Sequence, residues 1–204
     1  MTTATVDFSR IKKDYSYQEY FDLVNYLSET NSTTGKDVTG ERIEATKINA
    51  QRMKRIGKQF MVSDEIKNTL QNTKIKWKWI VLAEAWCGDG AQCIPVIAKI
   101  SESSPGIELK IILRDENPEI MDAYLTNGGR AIPILICLNS ETHEEIGTWG
   151  PRPEGIQQMV KDYKGKNPGV SHEEFVKNLH LWYAKDKGQS LENDFSNLLK
   201  QWIK

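Results

Sequence analysis

The sequence predicts an α/β fold: a mixed sheet of four to five strands with helices on both faces, extended by helices at both ends. Three observations predict it. Residues 80–83, Ile-Val-Leu-Ala, form a continuously apolar run, as in a central strand covered on both faces. From residue 74 to residue 165 the patterns follow the order strand–helix–strand–helix–strand–strand–helix. On either side of that stretch, apolar residues recur at three- and four-residue steps, the mark of helices.

The elements follow in chain order. Tyr17, Tyr20, Phe21, Val24 and Leu27 mark one helical face. The polar, glycine-containing stretch 31–40 ends that helix. Ile43, Met53, Ile56 and Phe60 give a second apolar stripe, and Ser63 is placed to cap a short third helix through Leu70. Ile75, Trp77 and Trp79 alternate with lysines and lead into the first strand. Residues 88–103 read as a helix with Pro95 inside it, where a proline removes one hydrogen bond. Residues 107–113 are a strand. Asn117 and Pro118 open a helix expected to run to about Asn127. Residues 132–138 and 145–149 form a hairpin, and a helix spans 153–164. Ser171 and Glu174 predict a capping box for the next helix. A further helix carries Leu191, Phe195, Leu198, Leu199 and Trp202. The expected division is a helical extension over 1–73, the α/β domain over 74–165 and a second helical extension over 166–204.

Composition narrows the function classes. There are 27 basic and 28 acidic residues, a net charge of −1, so no overall field favours nucleic acid or a membrane surface. Three cysteines in 204 residues argue against a secreted disulfide framework. The start lacks a basic segment followed by an apolar run, and the longest apolar runs are too short to span a bilayer. A cytoplasmic, reducing setting is the expectation. The basic stretch 47–58 lacks interleaved aromatics and reads as a solvated helix face rather than a nucleic-acid site. His143, His172 and His180 have no metal-ligand spacing with any cysteine, so no metal site is expected and all three read as structural or surface residues.

The candidate chemistry lies at Trp86-Cys87-Gly88-Asp89, where the first strand gives way to a helix. Free amide hydrogens and the positive end of the helix dipole stabilise a thiolate there, and Gly88 leaves the sulfur uncrowded. Asp89 pulls the other way, because its charge disfavours the thiolate.

This segment resembles the thioredoxin superfamily. The resemblance rests on residues 81–90 (Val-Leu-Ala-Glu-Ala-Trp-Cys-Gly-Asp-Gly), on Pro95 eight residues after Cys87, on Arg130-Ala-Ile-Pro133, and on Gly147 in the fourth strand. It covers roughly residues 75 to 165. The variant motif, with Trp-Gly-Pro-Arg-Pro at 149–153, is most similar to a thioredoxin-like bacterial subgroup. The resemblance implies a thioredoxin fold and a cis Pro133, although most X–Pro bonds are trans. It implies Cys87 as the reactive thiol, Trp86, Gly88, Asp89, Ile132 and Pro133 as the substrate-docking wall, and Gly147 as the residue that lets a peptide approach.

The sequence also departs from that pattern. Gly90 replaces the resolving cysteine, Asp89 the proline of the motif, and Val81 the buried aspartate that helps move protons. Cys93 is a poor substitute resolver. Six helical residues give about 9 Å of rise and about 240° of rotation, whereas a disulfide needs Cα atoms roughly 4.4–6.8 Å apart. Cys137 lies about 13 Å along a strand from Pro133. Both read as core residues. Two functions are therefore expected as alternatives. One is monothiol redox chemistry at Cys87, forming mixed disulfides with a protein, a peptide or glutathione as co-substrate. The other is a non-catalytic binding module using the groove beside Pro133. Arg130 is weighed as an anion holder and as an ordinary surface arginine. The redox reading requires an accessible sulfur at the helix end.

Overall fold

The first strand is central because its side chains are apolar on both faces. In the computed structural model, which describes residues 6–203, β1 (Trp77–Ala83) lies between two neighbours. β2 (Ile107–Leu113) pairs with it in parallel, Trp77 opposite Ile107 and Ala83 opposite Leu113. β3 (Ile134–Asn139) pairs with it antiparallel, Val81 opposite Leu135, and β4 (Glu145–Trp149) closes the order β2-β1-β3-β4. The sheet has four strands and is mixed, with helices on both faces.

Alternate residues of the strands serve separate cores. Trp77, Trp79, Val81 and Ala83 join Leu135 and Cys137 in the larger one. It is covered by α1 (Tyr17–Glu29), α2 (Gly40–Gln59), α3 (Asp64–Gln71), α4 (Gly88–Ser101), α6 (Glu154–Lys166), α7 (His172–Asp186) and α8 (Gln189–Trp202). Ile80 and Leu82 face the smaller core with Ile112, Ile134 and Ile136, beneath α5 (Pro118–Ala123). Trp79 is fully buried, its ring 5.3 Å from Phe195 and 6.4 Å from Trp202, both on α8. The outer edge of β2 is covered by Tyr15, which exchanges two 2.8 Å backbone hydrogen bonds with Ile111.

Several local expectations change. α5 stops at Ala123 rather than near Asn127, because Asn127 and Gly128 take left-handed backbone angles and Thr126 pairs with Gly129. β3 starts at Ile134 rather than 132, after Pro133, which has no N–H to give the ladder. The expected capping box at α7 is half formed. Ser171 Oγ accepts from the Glu174 amide, while Glu174 Oε1 accepts a long bond from the Tyr163 hydroxyl. Ser63 makes no side-chain cap. Its backbone N–H donates instead to Glu192 Oε1 at 2.6 Å, tying the start of α3 to α8.

Candidate thiol site at the amino end of α4

Cys87 is the N-cap of α4, with extended backbone angles. Its sulfur accepts the Gly90 amide at 3.3 Å, one of the helix's unpaired first-turn donors. The same sulfur donates to the Ile132 carbonyl at 3.3 Å, and only a protonated thiol can make that bond. The Ile132–Pro133 peptide is cis. Cys87 is 7 % exposed and belongs to the smaller core with Ile132 and Ile134. Burial, followed by the charge of Asp89, pushes its thiol up to about 12, against the opposing pull of the Gly90 and Asp89 amides and of Arg152. The accessible sulfur that the sequence suggested is therefore corrected: Cys87 packs into the smaller core against Ile132 and Ile134.

Asp89, two residues on, ties three elements together beside the thiol. Its Oδ2 takes Arg152 Nε at 2.9 Å and Nη2 at 2.7 Å, and its Oδ1 accepts the Tyr183 hydroxyl at 2.8 Å. Asp89 is only 8 % exposed. One carboxylate thus joins the first turn of α4, the loop before α6, and α7. Tyr183 also lies 3.8 Å from the sulfur of Cys93, which is buried. None of the three cysteines is disulfide-bonded.

His180, on the same helix as Tyr183, lies over Gly88. A Cβ at position 88 would come within 2.7 Å of the imidazole, so any larger residue there displaces the His180 ring. Burial, and then the charge of Arg52, holds the His180 imidazole down at about 4. Folded His180 therefore refuses a proton that the unfolded chain accepts below its ordinary value of 6.5. Its contribution is complete above that value and is lost as the pH falls toward about 4. The expected size is on the order of 1 kcal/mol, because solvent still reaches part of the ring. Urea midpoints at several pH values should show a shallower slope across that window in His180→Gln than in the parent.

The other predicted docking residues are partly taken. The Arg42 and Arg114 guanidinium carbons lie 4.4 and 4.9 Å from the Trp86 ring centroid, so cations already sit over the ring expected to form a docking wall. Ile132 is 6 % exposed. Gly147 faces α8: a Cβ there would lie 2.3 Å from Trp202 Nε1. The glycine beside Pro133 is Gly150, at φ +133°, where a Cβ would lie 2.3 Å from the Pro133 carbonyl oxygen. Arg130 is held by both Asp122 oxygens at 2.6 Å, so it is committed to an ion pair.

The sequence reading missed Arg152, Tyr183 and Gly150, and of the two roles it allowed His180, structural or surface, the packing over Gly88 selects the structural one. A signal existed for two of them, since Gly150 and Arg152 lie in the Trp-Gly-Pro-Arg-Pro stretch. Among the described residues, no group of three or more His, Cys, Asp or Glu side chains could hold a metal ion, and no helix is long and apolar enough to cross a membrane.

A family model described as thioredoxin, Thioredoxin_9, matches residues 35–164. The chain belongs to this thioredoxin family. Among solved structures, this thioredoxin-family chain is similar to a protein of unknown function, PA1234 from Pseudomonas aeruginosa. The two share 18% identity at a TM-score of 0.56, over 91% of this chain and 98% of that one. An HIV epitope-scaffold is similar at 17% identity and a TM-score of 0.54, with the same coverage. At these identities the likeness concerns the thioredoxin fold alone. No curated protein matches the chain.

Proposed function

We propose that this thioredoxin-family protein is a binding module in which Cys87 is a structural thiol. One observation carries this reading: the sulfur is buried and donates a hydrogen bond to the Ile132 carbonyl. A nucleophile must be a thiolate, and both features hold the sulfur as a thiol. Gly90 leaves no partner in the resolving position. The binding surface is the open groove of about 1000 Å³ that starts at Ile134 and Gly150, next to Pro133, and is lined also by Tyr124, Trp149 and Arg152. Thr148 and Trp149, at the end of edge strand β4, form part of its wall, with α6 and α8 supplying the rest, and an extended protein or peptide segment is the ligand such an edge accepts.

A second reading is monothiol redox chemistry, favoured by the Gly90 amide at the sulfur. In it the Cys87 thiolate attacks the glutathione sulfur of a peptide–glutathione mixed disulfide, expels the peptide thiol, and forms a Cys87–glutathione disulfide. Glutathione, as outside thiol, then cleaves that bond, giving oxidised glutathione and the free Cys87 thiol. Incubation with a glutathionylated peptide and glutathione separates the two readings. The binding module gives no turnover, and iodoacetamide labels Cys87 only after unfolding. Turnover that disappears in Cys87→Ser overturns it in favour of the redox reading.

A further inference from the structure

A second surface lies on the helical side, away from β4. α2 and α7 splay apart to leave a cleft of about 810 Å³, with Gln92 of α4 between them. One wall carries Ile48, Arg52 and Arg55, and the other carries Val176, Lys177 and Leu181. Ile48 and Leu181 are among the most exposed large apolar side chains described, at 47 % and 51 %.

The charges of this cleft are unbalanced. Among the described residues, Arg52, Arg55 and Lys177 have no carboxylate within ion-pair distance. Glu173 is the single acidic residue of the lining. Arg52 is also positioned in advance. Its Nη1 donates to Asn49 Oδ1 at 2.9 Å, and fully buried Asn49 is itself fixed by a 2.8 Å bond to the Ala85 carbonyl. The Arg52 guanidinium is partly desolvated and repelled by Arg55, a repulsion that the smaller attraction of Asp89 only partly offsets. An incoming carboxylate relieves that repulsion, and the arginine's ordering is already in place.

We propose that the cleft between α2 and α7 docks an acidic peptide segment carrying an aliphatic anchor. The anchor packs on Ile48, Val176 and Leu181, and flanking carboxylates meet Arg52, Arg55 and Lys177. Nucleic acid fits less well, because no Trp, Tyr or Phe lines the cleft to stack a base. The surface is separate from the groove beside Pro133 and holds whether or not Cys87 reacts.

The test uses the full chain and fluorescence anisotropy. The probes are a labelled peptide with leucines at helical spacing between glutamates, its lysine-for-glutamate counterpart, and a labelled single-stranded oligonucleotide. The glutamate peptide is expected to bind saturably, to weaken as salt rises, and to lose about tenfold or more in affinity to the R55E/K177E double variant. Both changed residues are exposed, so folding is not at stake, and Ile48→Asp should weaken binding by removing the anchor's seat. Absence of saturable binding, equal binding of the lysine peptide, preference for the oligonucleotide, or an affinity unchanged by R55E/K177E overturns the proposal.

Discussion

Trp79→Ala is expected to cost about 3–5 kcal/mol of folding stability, the range for removing a buried aromatic side chain. Trp79 is fully buried on β1 and touches two aromatic residues of α8. Truncation therefore removes its own buried area and also undercuts Phe195 and Trp202. Trp149 packs on Phe195 from the other side, with ring centres 5.8 Å apart, so the damage reaches β4. A lower urea midpoint with an unchanged slope is the expected signature. Trp79→Phe should lose less, since an aromatic ring remains against Phe195. A loss under about 1 kcal/mol for the alanine variant would mean that α8 does not pack on β1 in solution.

The second large effect is expected from Arg152→Ala. The change leaves the buried Asp89 carboxylate with the Tyr183 hydroxyl as its remaining side-chain partner. Stranding a buried charge in this way costs about 3 kcal/mol. Arg152→Lys should recover only part of that, because an ammonium cannot reproduce the two-nitrogen contact to Asp89 Oδ2. Asp89→Asn separates charge from structure. It removes the carboxylate that is the second cause of the raised Cys87 thiol. The thiol should then titrate lower, while burial still holds it above its ordinary value. Thiolate absorbance against pH measures this. An unchanged titration in Asp89→Asn would mean that burial alone sets the thiol.

The fold class was legible because it rests on short-range periodicity. β2 and β4 fall on the residues where apolar runs and alternation put them. The overrun of α5 has a local cause too: Tyr124 and Leu125 continue an apolar pattern, but the left-handed turn at Asn127 and Gly128 decides the backbone. The position of Cys87 at a strand-to-helix switch was legible for the same short-range reason. The ties of Asp89 beside it were not. Arg152 is 63 residues from Asp89, and Tyr183 is 94. No window of sequence contains both ends of those contacts, so periodicity carries no trace of them. Gly147 was misplaced for a related reason. Residues 147 and 150 lie three apart in one glycine-bearing segment, and it is the pairing register, Leu135 opposite Trp149, that puts Gly150 beside Pro133 while Gly147 meets Trp202 of α8.

The reliance of β1 on α8 has a consequence for biosynthesis. As the chain emerges from the ribosome, Trp79 appears long before Phe195 and Trp202, so the sheet's helical face waits with an uncovered indole while most of the protein is still being made. The nascent chain is then most vulnerable to aggregation and proteolysis after β4 has emerged and before α8 arrives.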